Sequence, residues 1–162
     1  MAETLSVTDM LPNKFEPKRN YRWVLAIEGI DSFLVTSANR PNVNIGEKKI
    51  DYINSYRRVA SKLEFQDLSI KLHDPIAPSG GQQMMEWIRT HYESVSGRAG
   101  YADFYKRDIQ LKMLDPIGTV IELWDIKGAF LTSVNFGSLD YTSDDIMYID
   151  ATIKFDNCVL QF

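Results

Sequence analysis

Residues 39–63 read NRPNVNIGEKKIDYINSYRRVASKL, and the fold turns on what this stretch is. It is 25 residues long and mixes Val43, Ile45, Ile50, Tyr52, Ile53, Tyr56 and Val59 with eight charged side chains. Structureless connections of that length are uncommon in compact domains and are usually functional or disordered. Disorder requires low hydrophobicity, which this stretch lacks. The pattern instead predicts a β arm, with Glu47 to Ile53 and Tyr56 to Ser61 flanking a turn at Asn54-Ser55. Apolar groups on such a projection stay wet unless something covers them, and a second copy of the same chain is the simplest cover. Lys48-Lys49 and Arg57-Arg58, close to Glu47, Asp51 and Glu64, suit complementary contacts between copies better than a nucleic-acid patch, which would be denser and unopposed by acids. Taken alone, the charges equally suit a solvated hairpin. The interleaved Ile50, Tyr52, Ile53 and Tyr56 decide for assembly.

Outward from the arm, the chain is predominantly a series of period-2 runs. Tyr21 to Glu28 sets Tyr21, Trp23, Leu25 and Ile27 against Arg22, Val24, Ala26 and Glu28, which predicts a strand with one buried face. With turn chemistry at Gly29 to Ser32, Phe33 to Ser37 is expected to return as its hairpin partner. Leu63 to His73 is a further alternating run. Breakers at Pro75, Pro78, Gly80 and Gly81 then introduce a helix over Gln82 to Val95, with Ser79 near its cap and Met84, Trp87, Ile88, His91, Tyr92 and Val95 on one face. Gly97 to Lys106 reads as a loop whose Tyr101, Phe104 and Tyr105 fold back on the body. Strands follow over Asp108 to Leu114, Thr119 to Ile126, Ala129 to Asn135 and Tyr148 to Leu160, with turns at Asp115-Pro116-Ile117-Gly118 and Lys127-Gly128. Antiparallel strands interrupted by one helix favour a barrel or sandwich over a doubly wound α/β fold.

A chain of 162 residues with 44% hydrophobic composition is expected to form one domain, residues 1–162, without needing disulfides or metals. Residues 1–20, punctuated by Pro12 and Pro17, read as a leader rather than a signal peptide, because no apolar run interrupts their charges. No run approaches the length of a membrane span, so membrane insertion is not expected. The lone Cys158 reads as a small buried hydrophobe in a terminal strand. A formal charge of −4 argues against gripping nucleic acid and suits a surface past which it slides. Catalytic chemistry is sparse. Gly80-Gly81 lacks the Lys-Ser or Lys-Thr of a phosphate loop, and two His with one Cys cannot build a Cys/His zinc site in one copy. His91 reads as a core histidine. His73-Asp74, neighbours on an extended chain, point apart and read as a strand-ending turn rather than an acid–base pair. Asp144-Asp145 lacks the further oxygens calcium needs and reads as a solvated turn. No catalytic residue, metal or cofactor is expected.

The C-terminal half carries Tyr105-Lys106-Arg107-Asp108-Ile109, Leu114-Asp115-Pro116-Ile117-Gly118, Ile121-Glu122-Leu123-Trp124, Gly128-Ala129-Phe130-Leu131-Thr132-Ser133-Val134 and Leu139-Asp140-Tyr141-Thr142-Ser143. In order and spacing these resemble the tail tube proteins of contractile-tailed bacteriophages, which are related to type VI secretion tube proteins. The aromatic first strand, Pro41, the long arm and the Trp87 helix agree over about Tyr21 to Leu160. Arg40-Pro41-Asn42 lacks the Gly that often follows that Pro, and Leu131 stands where many relatives carry Pro. The resemblance implies a mainly β chain: a small antiparallel β-barrel or sandwich with one flanking helix and a protruding β arm over 39–63. It further implies hexameric rings stacked into a tube that conducts DNA in a virion tail, assembled in the host cytoplasm with sheath, baseplate and terminator proteins. On that reading Ile45, Lys48, Lys49, Ile50, Tyr52, Ile53, Tyr56, Arg57 and Arg58 make contacts between rings. Either of two polar rows suits the lumen: Asp67, Ser69 and Lys71, or Asp150, Thr152, Lys154 and Asp156. The alternatives are the tube of a type VI or phage-like injection particle, a tube-initiating baseplate protein, a monomeric β-sandwich binding carbohydrate or a cell surface through Trp23, Trp124 and tyrosines, and a small barrel hydrolase or isomerase using His73 and Asp74.

Overall fold

In the computed structural model, which describes Ser6, Met10 and residues 14–162, nine strands and two helices follow the leader; the remainder of that leader lies outside the described residues. The strands are β1 (Trp23–Ile27), β2 (Val35–Ala38), β3 (Val43–Tyr52), β4 (Ser55–Phe65), β5 (Leu68–His73), β6 (Arg107–Leu114), β7 (Val120–Asn135), β8 (Tyr148–Lys154) and β9 (Asn157–Leu160). The helices are α1 (Gly80–His91) and α2 (Ala102–Tyr105). The chain is mainly β and its pairings are antiparallel.

The strand order is β1-β6-β7-β8-β5-β2, with β9 also on β7. Strand β7 makes this possible. Its first part pairs with β6 and β9, and its last part, Phe130 to Asn135, pairs with β8. Between the two, Gly128 sits at φ +68, where a side chain is strained. The expected turn at Lys127-Gly128 is therefore a bend inside one strand of 16 residues. Around it Leu25, Leu68, Leu72, Ile109, Ile126, Ile149 and Ile153 close a single core with Met84 and Trp87 of α1.

Several expected elements are divided or re-paired. β1 and β2 do not form a hairpin: β1 pairs with β6 and β2 with β5. The 3-10 turn Ser32–Leu34, with Leu34 buried, carries the chain from one to the other. The run from Leu63 breaks after Phe65, where Gln66 N donates to Asn42 O at 2.9 Å. The final run breaks at Phe155-Asp156, where the Asp156 amide donates to Lys127 O at 3.0 Å and β9 swings to the other part of β7. Phe65 and Phe155, at these two breaks, pack with ring centroids 5.4 Å apart.

α1 begins two residues earlier and ends four earlier than its periodicity predicts. The Ser79 hydroxyl caps it by accepting from Gln82 N, and Gly80 fits because a Cβ there would come within 2.6 Å of His73 O. Val95, Tyr101 and Phe104 beyond the helix are exposed, as is His91 at its end; the expected core histidine and the folding back of Tyr101 and Phe104 are not observed, whereas Tyr105 is half-buried with its ring 6.0 Å from that of Phe130. His91 meets Tyr105 edge-on at 4.5 Å, while Trp87 Nε1 donates to Tyr105 O at 2.7 Å.

A methyl group on Gly128 would come within 2.2 Å of Asp156 Oδ2. Gly128→Ala should therefore lower stability by about 1–2 kcal/mol, measured by urea unfolding. An unchanged midpoint would show that the bend is not conformationally demanding.

Candidate assembly interface

The arm is a two-stranded hairpin, β3 with β4, forming its own sheet. All of β3 is exposed, and in β4 only Ser61 and Phe65 are partly covered. The pairing Tyr52↔Ser55 places the turn at Ile53-Asn54, one residue before the predicted position. At about 3.3 Å per residue, ten-residue strands reach roughly 33 Å from the body. Ile53 at the tip is 84% exposed and adopts φ +50, a left-handed conformation that a β-branched residue tolerates poorly and glycine or asparagine tolerates well.

Register divides the expected contact residues between two faces. Glu47, Lys49, Asp51, Tyr56 and Arg58 share one. There Lys49 Nζ lies 3.3 Å from Asp51 Oδ1, and an Arg58 guanidinium nitrogen lies 3.4 Å from Glu47 Oε2. Both cations also lie over the Tyr56 ring, at 4.5 and 5.4 Å. This face satisfies its own charges. The other carries Lys48, Ile50 and Tyr52 opposite Val59, Arg57 and Ser55, and neither Lys48 nor Arg57 has an ion pair among the described residues. Ile45 lies across the bulge, opposite Leu63.

The root of the arm is held by a residue that the sequence reading passed over. Glu122 of β7, 4% exposed, is the buried charged side chain among the described residues. It accepts from Lys18 of the leader and from Trp124 Nε1, and Arg40 at the entry to the arm lies 3.4 Å away. Burial opposes its ionisation, but the hydrogen bonds from Lys18 and Trp124, with the charges of Lys18 and Arg40, outweigh it and hold the carboxyl below its usual range. The only local signal was an acid inside the alternating run Ile121-Glu122-Leu123-Trp124. Trp124 lies two residues along the same strand, but nothing local indicated Lys18 or Arg40, which are 104 and 82 residues away.

The two polar rows proposed for a lumen are neighbours on one face. β5 and β8 pair Ser69↔Thr152 and Lys71↔Asp150, and Asp67 Oδ1 lies 3.9 Å from Lys154 Nζ. Ser37 of β2 and Ser133 and Asn135 of β7 extend the same wall. Its charged residues, Asp67, Lys71, Asp150 and Lys154, balance, so the wall is polar without being acidic. Asp156 is not part of it, since it lies beyond the end of β8 and binds Lys106 at 2.6 Å.

The other chemistry candidates make contacts within the fold. The Asp74 carboxylate accepts from Gly81 N at 3.0 Å and from Ser79 Oγ at 3.4 Å, at the start of α1, while the His73 ring packs against Tyr148. Asp145 accepts from Ser143 Oγ in an exposed turn. Burial, then the charge of Asp125, push the Cys158 thiol up to about 11, the value of an unreactive thiol.

No protein-family model and no curated protein sequence matches this chain. Solved structures do share its fold. The tube-terminating cap of the anti-feeding prophage is 21% identical, with a TM-score of 0.75 over 97% of this chain and 99% of that one. The sheath/tube terminator of an extracellular contractile injection system, PVC, in its extended state is 18% identical, with a TM-score of 0.73 over 92% and 99%. The sheath–tube complex of the same system is also 18% identical, with a TM-score of 0.67 over 98% and 99%. The fold implied by the tail-tube resemblance is the fold observed.

Because the folded-state pKa of Glu122 is lowered, its stabilising contribution is present above the unfolded value of about 4.3 and is lost as pH falls through the folded value. Glu122→Gln should cost about 1–2 kcal/mol at pH 7, with the difference from wild type shrinking towards pH 3. Chemical denaturation at both pH values reads it; a cost independent of pH would place the effect in packing rather than charge.

Proposed function

We propose that this chain is a structural, non-enzymatic subunit of the tube of a contractile tail or tail-like injection particle. Six copies close into a ring, rings stack through the arm, and the wall of β5 and β8 with its Ser69, Lys71, Asp150, Thr152 and Lys154 lines the conduit. The observation that carries this reading is the arm. A two-stranded sheet exposing Ile45, Ile50, Tyr52, Ile53 and Val59 has no use in a solitary binding module or a small enzyme, and it needs a partner surface. The similarity of fold to components of contractile injection systems supports the same reading.

In a phage tail the cargo would be DNA. A charge-balanced wall suits passage, because it offers the backbone phosphates no net cation density to displace their counterions. Sheath, baseplate and terminator proteins would be its partners, and the tail of the virion or particle its location. A second reading is a tube terminator, favoured by the higher structural similarity to the cap and the terminator than to the sheath–tube complex. Electron microscopy of the purified protein at high concentration separates the two: long stacks of rings mark a tube subunit, a single ring a terminator.

Deleting residues 45–59 should leave the core folded by circular dichroism and abolish ring stacking; stacks that persist would refute the assembly role of the arm. Ile53→Gly relieves the left-handed strain at the tip, so it should leave the melting temperature unchanged or raised. It also removes an exposed apolar contact, so the concentration needed for stacking should rise at least about threefold. Unaltered stacking would mean that the tip makes no contact.

A further inference from the structure

The arm's unsatisfied face has a complement elsewhere on the chain. Between β7 and β8, residues 136–147 form an exposed connection in which Leu139 is 86% and Ile146 69% exposed, with Tyr141 fully in solvent. Leu139 and Ile146 border a groove of about 530 Å³ lined also by Gly137, Asp140, Ser143 and Asp145. Gly137, at φ +89, turns the chain into it. Asp140, Asp144 and Asp145 supply three negative charges with no ion pair among the described residues. Hydrogen bonds to Asp140 from the Thr142 backbone and then its hydroxyl, at 3.0 and 2.9 Å, hold that carboxyl ionised below the usual range.

We infer that the Lys48–Ile50–Tyr52–Arg57–Val59 face of one copy's arm docks into the Leu139–Ile146 groove of a second copy. The match is one of chemistry. The arm face offers apolar side chains flanked by two unopposed cations, and the groove offers apolar side chains flanked by the carboxylates of Asp140 and Asp145, with exposed Asp144 next in the chain. The opposite face of the arm, neutralised around Tyr56, has no charge to give. A second copy is the occupant because the acidic, apolar groove and its basic, apolar counterpart are both present on every chain, which is the condition for a head-to-tail contact that repeats. An arm of roughly 33 Å is long enough to reach another subunit. Its cations steer the approach, and Ile50, Tyr52 and Val59 give the contact its affinity.

This inference rests on the tube reading, and charge reversal on the full-length chain tests it separately. All four positions are exposed, so the variants should melt like wild type. Lys48→Glu/Arg57→Glu should raise the protein concentration required for stacking at least about tenfold, and Asp144→Lys/Asp145→Lys should do the same. The chain carrying all four changes should assemble better than either pair. As an independent measurement, Ile50→Cys/Ile146→Cys in a Cys158→Ser background should yield disulfide-linked multimers under mild oxidation, whereas each single cysteine variant should stop at dimers. If deleting residues 45–59 abolishes stacking while Asp144→Lys/Asp145→Lys stacks like wild type, the arm docks elsewhere or on a different protein, and this inference fails while the tube reading stands. If the deletion has no effect, the assembly role of the arm fails with it. Absence of rescue in the fourfold variant also overturns the pairing.

Discussion

Strand β7 has to serve two sheets at once, and the rest of the structure follows from that constraint. A sheet buries one face only if something packs against it, and here the two halves bury each other because one strand, bent at Gly128, runs through both. The bend requires a residue without a side chain, since the space beside it is filled by Asp156. It also decides where β8 ends and β9 begins, because each pairs with a different part of β7. The helix α1 then covers the open flank, inserting Met84 and Trp87 into the same core.

The arm is the opposite case, structure without burial. An isolated hairpin is marginal in water, and this one is anchored at its root rather than along its length. The Phe65–Phe155 contact, the Gln66–Asn42 hydrogen bond and the Arg40–Glu122 pair fix where it leaves the body. Ion pairs and cation–π contacts around Tyr56 neutralise one face. What is left over, an apolar face with two free cations and a strained isoleucine at the tip, has no explanation in the stability of a single chain. Strain and wet hydrophobic surface are tolerated where a function needs them, and the self-assembly proposed above would be such a function.

Much of this was legible in the chain. Alternation located nearly all the strands to within a few residues, Ser79 and the Met84–Trp87 spacing located the helix, and the length and composition of 39–63 disclosed the arm. Where the reading failed, a local pattern persisted past the point where the chain changed partner or the helix stopped. β1 and β2 look like a hairpin because Gly29 to Ser32 has turn chemistry, yet Leu34 is drawn into the core and the strands part. The final run appears continuous because Phe155 keeps the alternation, although the chain there changes sheet. His91 has the period of a core residue, but α1 has already reached its last turn.

By itself the sequence determined the inward-facing Leu25 and Ile27 of β1, that a helix follows Ser79, that an apolar and charged arm projects, and that recognisable catalytic motifs are scarce, while the short α2 lay in what read as a loop. Those are consequences of local periodicity and of residue chemistry, which act over a few neighbouring positions. Only the tertiary structure decided that Asp67, Ser69 and Lys71 stand beside Asp150, Thr152 and Lys154 on one charge-balanced wall, that Glu122 gathers Lys18, Arg40 and Trp124, and which side of the arm is left with free charges. These depend on register and on contacts between distant segments, and one step of register moves every side chain of a strand to the opposite face.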